Sequence, residues 1–412
     1  MAATAIIPVE IDLPNIEIDS IEINRDGEYE IRAHSTQEGC TCRACGRHID
    51  KRHGEDREVR LRHLSILGRP TYIIIAPVRY RCMDCEDHPT TTQQLDWYVR
   101  RSPHTIPYEH YILLSLKGRT PAEVSAIEGV GYAAVMGIID RHISAEVDWA
   151  EIGGICILGL DEISLRKGHN DFITVVSRRC NGQVEVIALL RGRKKEVVKA
   201  FLKSMPEEVK KTVKYVCSDL YEGFINAAKE VFGKKVKIVI DRFHVAKLYR
   251  KGVDELRKQE LARLKKVLSK AAYAELKGAM WALRKDPSKL TDKEKAVLAK
   301  LFEYSPLLKQ AYELQRDLTA IFEMDIDRRE AKKRIRQWIR EAVKSGLDCY
   351  HGFIKTLKAN LEDIVNYFMH RDSSGFVEGL NNKIKVIKRR CYGIYNLGHL
   401  FQRISLDLGF AG

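Results

Sequence analysis

The stretch Gly154-Ile-Cys-Ile-Leu-Gly-Leu160 carries no polar side chain and runs into Asp161. An unbroken apolar run reads as a strand covered on both faces, whereas a half-solvated strand would alternate. A chain containing it therefore needs layers on both sides of a central sheet. A carboxylate carried inside with such a strand needs a cation or hydrogen-bond donors. A second, mostly apolar run, Val213-Lys-Tyr-Val-Cys-Ser218, leads into Asp219. The segment after it, Leu220 to Phe232, keeps a helical period through Phe224, Ala228 and Val231. Asp161 and Asp219 are both expected at strand ends, Asp219 just ahead of a helix.

Between them the pattern is that of a hairpin. Phe172-Ile-Thr-Val-Val176 and Val184-Glu-Val-Ile-Ala-Leu-Leu190 flank Asn181-Gly182, the dipeptide best suited to a tight turn with positive φ at both central residues. A short helix around Glu196 to Leu202 follows, and later a fifth apolar strand, Val236-Lys-Ile-Val-Ile240, enters Asp241. Three meandering strands followed by alternating helices and strands resemble the ribonuclease-H-like fold. That fold sets the first and fourth strands side by side, which would bring Asp161 and Asp219 to about one strand spacing, roughly 4.8 Å.

A third acid opens a basic segment from Ser373 to Cys391. Val377, Leu380, Ile384, Ile387 and Cys391 repeat at steps of three and four, which makes one buried helical stripe with Ser373 or Ser374 available as a cap. Glu378, Asn382, Lys385 and Arg389 line an adjacent polar stripe. The motif Ser374-Gly-Phe-Val-Glu-Gly-Leu-Asn-Asn-Lys-Ile-Lys385, preceded by Leu160-Asp-Glu-Ile-Ser164 and Ile240-Asp-Arg-Phe-His-Val245, resembles the DDE transposases of prokaryotic insertion sequences, in the ISL3 group. The resemblance extends from the cysteine pairs to Tyr392-Gly-Ile-Tyr-Asn396. It implies that Asp161, Asp219 and Glu378 are catalytic and hold two Mg2+ ions, or Mn2+. Such ions, about 3.5 to 4 Å apart, clamp the attacking and leaving oxygens of a phosphoryl displacement. Asp241 competes with Asp219 for the second position; the fourth strand, as neighbour of the first, favours Asp219. Asp241, Arg242 and His244 would then support the site or hold substrate, as would Asn382, Lys385 and Arg389.

The amino-terminal quarter has a different chemistry. Cys42-x-x-Cys45 and Cys82-x-x-Cys85 form two pincers separated by 36 residues, with the internal spacing of a structural zinc site. Cys40, His48 or His88 could replace one ligand. Arg57 to Arg62 and Thr71 to Arg79 read as strands of a small sheet around it. Cys156, Cys180, Cys217, Cys349 and Cys391 lie in mostly apolar contexts and are assigned no function.

Pro107 to Lys117 reads as a helix stopping at Gly118. Thr120-Pro-Ala-Glu123 then combines a cap, an early proline and an acid three residues on. After Gly129-Val-Gly131 a further helix covers Tyr132 to His142, giving a helix-turn-helix pattern whose Tyr132 and Arg141 would reach DNA. The expected organisation is α/β: a zinc-binding module over 1–100, a helix-turn-helix over 101–150, a ribonuclease-H-like mixed sheet begun in 151–245, a helical insertion over 246–371, and the core completed over 372–412. The insertion's charges are mixed, with Trp281 and Trp338 as candidate contacts to DNA or a second copy.

With 412 residues, 45% of them hydrophobic, the chain can bury several cores, and its charge of +14 suits a polyanionic partner. No basic leader and no apolar run of about 18 residues is present, which points to a soluble, cytoplasmic protein, nucleoid-associated when on DNA. The partners implied are double-stranded DNA, as element ends and target, and a second copy in a dimer or larger assembly. Two rivals remain: a zinc-dependent DNA-binding regulator with a silent core, and a nuclease that cuts without joining.

Overall fold

The computed structural model describes residues 10–166, 171–369, 371 and 375–409. Ser373 and Ser374, the expected caps, lie outside the described residues. The chain forms two compact units, one ending at Ile143 and the other spanning Ser144–Gly409. The cysteine pairs and the helix-turn-helix pattern thus belong to one unit.

In the first unit β1 (Ile16–Ile23), β2 (Tyr29–Ser35), β6 (Val59–Ile66) and β7 (Arg69–Ile75) make a sheet of order β1-β2-β7-β6. Its inner face buries Ile31, Leu61, Ile73 and Ile75 against Leu13, Leu95 and Trp97. A small ladder of β3 (Cys40–Thr41) and β4 (His48–Ile49) and a sheet of β5 (Arg52–Glu55), β8 (Val78–Arg81) and β9 (Thr90–Thr92) present the cysteine pairs. Three helices follow, α1 (Ile106–Leu116), α2 (Pro121–Glu128) and α3 (Tyr132–His142). The Thr120 hydroxyl accepts the Glu123 N–H while the Glu123 carboxylate accepts the Thr120 N–H, so the expected capping box forms. Gly129, at φ 64°, ends α2, and the chain bends by 117° into α3, within the range of helix-turn-helix geometry.

The second unit is built on β10 (Ile157–Ser164), β11 (Phe172–Cys180), β12 (Gln183–Arg191), β13 (Tyr215–Ser218) and β14 (Lys237–Ile240), in the order β12-β11-β10-β13-β14. The hairpin turn falls on Asn181 and Gly182, at φ 51° and 83°, so both central residues take the left-handed conformation that this turn demands. β11 runs antiparallel to β10 and β12, and β13 and β14 run parallel to β10. This is the ribonuclease-H-like sheet that the strand order implied. One detail differs: β10 continues through Asp161 to Ser164, so Asp161 sits within the strand. The apolar run ends there because only one face stays apolar beyond it, with Ile163 and Leu165 buried and Glu162 and Ser164 half-buried.

One face of the sheet carries α4 (Lys195–Ser204), α5 (Glu207–Lys211) and α6 (Glu222–Phe232), and its buried residues are continuous with those of the insertion. That insertion comprises α7 (Arg242–Val267), α8 (Lys270–Ala274), α9 (Ala279–Arg284), α10 (Asp292–Tyr304), α11 (Pro306–Glu323), α12 (Arg328–Lys344), α13 (His351–Ala359) and α14 (Leu361–Val365). α7 grows directly out of β14, with Asp241 capping it by accepting the Phe243 N–H at 2.8 Å. Trp338, a candidate surface contact, is instead core: 2% exposed, with its ring N–H donating to the Leu314 carbonyl at 2.8 Å. Trp281 stays 66% exposed. The opposite face is covered by α15 (Gly375–Arg390) and α16 (Leu397–Leu408), which bury Leu380, Ile384, Ile387, Leu400 and Ile404 against Ile163, Leu165, Ile173 and Val175. Cys156 and Cys180, read as separate hydrophobes, lie with Cα atoms 5.1 Å apart and are joined as a disulfide. Among the described residues no single helix is long and apolar enough to cross a membrane.

Candidate functional site

The site begins with register. Leu160 on β10 lies opposite Ser218 on β13, and Ser218 lies opposite Ile240 on β14. The residues that come next in each strand direction are Asp161, Asp219 and Asp241. Three aspartates therefore stand abreast on three neighbouring parallel strands, successive positions about 4.8 Å apart. All three carboxyls are pushed above the ordinary range. For Asp161 burial is the main cause, and repulsion from Asp219 and Asp241 adds to it; against the pull of the Glu162 N–H and of His244 the carboxyl reaches about 6. Burial likewise leads for Asp219, with Glu162 adding, and for Asp241, with Glu378 adding. Desolvated like charges set side by side favour protonation unless a cation offsets them.

Each aspartate is also oriented. Asp161 accepts the Glu162 N–H at 2.7 Å on one oxygen and the Asn381 side-chain amide at 2.6 Å on the other. Asp219 accepts the Tyr221 N–H at 2.9 Å, and its second oxygen lies 3.9 Å from His244 Nδ1. Arg242 is turned to the insertion, donating to the Tyr367 hydroxyl at 3.3 Å and the Phe322 carbonyl at 3.5 Å. Of the residues expected beside Asp241, His244 thus faces the aspartates and Arg242 does not.

The third acid arrives on α15. Gly159, two residues before Asp161 on the same strand face, leaves room for this helix: a Cβ there would lie 2.8 Å from Val377 and 3.2 Å from Phe376. Asn381 then meets Asp161, and Lys388 donates to the carbonyls of Ser164 and, at 3.0 Å, Leu165. The helix thus runs along β10, with its first turn against Gly159 and its second against Asp161. Glu378 lies one turn before Asn381, exposed, and its charge is among those that raise Asp241. Asn382, Lys385 and Arg389 are exposed along the same helix.

Asn381 was absent from the expected site, since an asparagine on a basic helix reads as surface. Its position four residues after Val377 and three before Ile384 is the signal that puts it on the buried stripe. It is 3% exposed, and its amide oxygen has no hydrogen-bond partner among the described residues, an arrangement that usually has a specific reason. Among the described residues, no three acidic or histidine side chains hold ligand atoms all within 4.8 Å of one another. Uncompensated carboxylates repel, and strand spacing keeps these apart. The donor set nevertheless fits divalent cations: hard carboxylate oxygens, those of the three aspartates desolvated, with excess negative charge and the Asn381 amide oxygen beside them.

In the first unit the sulfurs of Cys42, Cys45, Cys82 and Cys85 all lie within 4.8 Å of one another. Tetrahedral zinc with Zn–S near 2.3 Å requires S···S near 3.8 Å, by geometry about 1.6 times the bond. Cys45 and Cys82 are 3.8 Å apart and Cys82 and Cys85 3.5 Å. The N–H groups of Cys45 and Ala44 hold the Cys42 thiol down to about 6. Cys40, whose thiol donates to the Thr91 carbonyl, and His88, whose Nδ1 is 3.1 Å from the Cys82 carbonyl, are outside this cluster, as is His48.

On the helix-turn-helix, Tyr132 is 55% exposed at the start of α3. Arg141 is engaged by the fully buried Glu109, which it meets at 2.5 Å, and Glu109 also takes His142 at 2.6 Å and Ser102 at 2.7 Å. Burial alone would raise the Glu109 carboxyl, but these three donors hold it below the usual range. Arg141 thereby pins α3 to α1.

Residues 158–404 match the model of a transposase family, the DDE transposases of the ISL3 group. A transposase for insertion sequence element IS1001 from Bordetella parapertussis is 26% identical over 367 residues, 88% of this chain and 87% of its own length. A transposase for insertion sequence element IS1557 from Mycobacterium tuberculosis is 22% identical over 399 residues, 91% of this chain and 88% of its own. With the family match spanning the sheet, the insertion and the helix that carries Glu378, this chain belongs to the DDE transposases of the ISL3 group, enzymes that act on DNA.

Proposed function

We propose that this transposase binds the ends of an insertion sequence, cuts a phosphodiester there in a Mg2+-dependent reaction, and directs the freed 3′-hydroxyl at target DNA. The observation that carries the reading is the strand register that sets Asp161 beside Asp219, with the Glu378 helix anchored to Asp161 through Asn381. Asp161, Asp219 and Glu378 would hold two Mg2+ ions, or Mn2+. Bound there, the ions supply positive charge to the attacking and leaving oxygens. The chain's own residues do the rest. The Asn381 amide fixes the rotamer of Asp161, and the Tyr221 N–H fixes that of Asp219. Asp241, capping α7, adds negative charge behind them, and His244 offsets part of it. Asn382, Lys385 and Arg389, exposed on α15, grip phosphates of the strand being cut.

The zinc site organises the small sheets of the first unit, whose helix-turn-helix contributes to end binding through Tyr132. Handling two ends together calls for a dimer or larger assembly. The test is incubation of purified protein with Mg2+, DNA carrying the element's ends and a target plasmid. Nicked ends and joined product are expected. DNA binding without any cutting would favour a regulator, and cutting without joining a nuclease.

A further inference from the structure

Where the last turns of α15 lie along the end of β10, an open groove of about 1110 Å³ is lined by Arg166, Lys385, Arg389, Tyr392 and Tyr395. This exceeds the roughly 300 to 1,000 Å³ of a site for one drug-sized molecule. Its lining combines two chemistries. Lys385, Arg389 and Arg166 are exposed cations. Tyr392 is 88% exposed and Tyr395 48%, with the Arg166 guanidinium 4.1 Å over the Tyr395 ring.

The backbone holds Tyr392 out. Its N–H donates to the Arg389 carbonyl and the Gly393 N–H to the Lys388 carbonyl, the paired bonds of a Schellman helix end. In that motif the residue in the left-handed conformation is ordinarily glycine, yet here Tyr392 takes it at φ 51°, with Gly393 one place later. A large aromatic residue in that conformation is strained. The exposed ring makes too little contact with the rest of the chain to offset the strain.

We infer that this groove binds an unpaired DNA strand, with phosphates on Lys385, Arg389 and Arg166 and at least one base stacked on Tyr392. Cations alone would serve a duplex backbone. An exposed ring adds affinity only to a base outside its own stack, because paired bases already have both faces covered. The groove continues the polar stripe that begins at Glu378. From Glu378 to Tyr392 is about 21 Å along a helix at 1.5 Å per residue, so a strand leaving the carboxylates along α15 arrives at the tyrosine. The inference deepens the proposed function, resting on α15 as the strand's track. The transposase would hold one strand of the element end or its flank melted out beside the cut.

Binding is measured by anisotropy without added Mg2+, using a labelled single-stranded oligonucleotide and a duplex of the same sequence, with a 2-aminopurine version to report stacking. Tyr392→Ala should weaken single-strand binding roughly 5- to 100-fold, the range for one lost base stack, and abolish the 2-aminopurine quenching, with duplex affinity changed less than about twofold. Tyr392→Phe should keep both properties. Tyr392→Gly, which suits the helix end better, should melt no lower than wild type and still lose the single strand. Unchanged single-strand affinity in Tyr392→Ala, or equal losses for single strand and duplex, would overturn the inference. Because no catalysis enters this assay, it can fail while wild-type protein still cuts element ends in Mg2+, and the reverse.

Discussion

Asp161 shows how far a single position can be read from sequence. The end of an apolar run marked it as a charge taken into a sheet, and the structure supplies the environment: two donors on its oxygens, Asp219 beside it and Asp241 one strand further on. Its raised carboxyl has a consequence for stability. A carboxylic acid whose folded pKa lies at about 6, above its ordinary 3.8, binds more protons folded than unfolded. Its contribution is therefore most favourable below pH 4 and is lost as pH rises to about 6. Removing that uncompensated charge should help the metal-free protein at neutral pH. We predict that Asp161→Asn melts higher than wild type at pH 8 without divalent cations, and that the difference shrinks at pH 4.5. Added Mg2+ should raise the wild-type midpoint more at pH 8 than at pH 5. A midpoint for Asp161→Asn at or below wild type at pH 8 would contradict the assignment of burial and repulsion as the cause. Other residues were less legible. Arg141 looked like a free cation because its partner, Glu109, lies 32 positions away on another helix. Asn381 looked like surface because polarity hid its place on the buried stripe.

Elements were legible wherever local chemistry set them. The Asn181-Gly182 turn, the Thr120 capping box and the Gly129 break all fall where composition put them. What local pattern does not carry is contact between distant elements. β10 extends beyond the apolar run because α15 buries Ile163 and Leu165, and nothing near Asp161 announces that helix. Gly159 is the same case: it read as part of an apolar run, but its missing side chain is what admits α15. A Cβ at Gly159 would lie 2.4 Å from the Ser177 hydroxyl and 2.8 Å from Val377, contacts that real side chains avoid. Gly159→Ala should cost about 1 to 3 kcal/mol of stability, as overpacking does, read as a lower urea midpoint. Because α15 also carries Glu378, cleavage should fall more than stability alone explains. A Gly159→Ala protein with wild-type stability and activity would show that the helix does not need this approach.

At the scale of the whole chain, the order of strands and the two cysteine pincers announced one sheet architecture and one metal module. The join between core and insertion was not announced: α7 leaves β14 without a break, and Trp338 belongs to the same core as the sheet. Mixed charge along those helices reads equally well as a solvated surface. The cysteine module gives a direct test, because a metal that holds only the folded ligand set contributes to folding. Metal analysis should find one zinc per chain, and Cys85→Ser should lower both zinc content and the stability of the first unit; full-length protein that binds no zinc would refute the assignment. The central claim concerns the acids. Mg2+-dependent cleavage of DNA bearing the element's ends should be measured for wild type, Asp161→Asn, Asp219→Asn, Glu378→Gln and Asp241→Asn, with DNA binding followed in parallel. The first three substitutions should reduce cleavage roughly 1,000-fold or more while binding persists, the several kcal/mol expected when a metal ligand is lost, and Asp241→Asn should retain measurable cutting. An Asp219→Asn protein that cuts as wild type does would contradict the account.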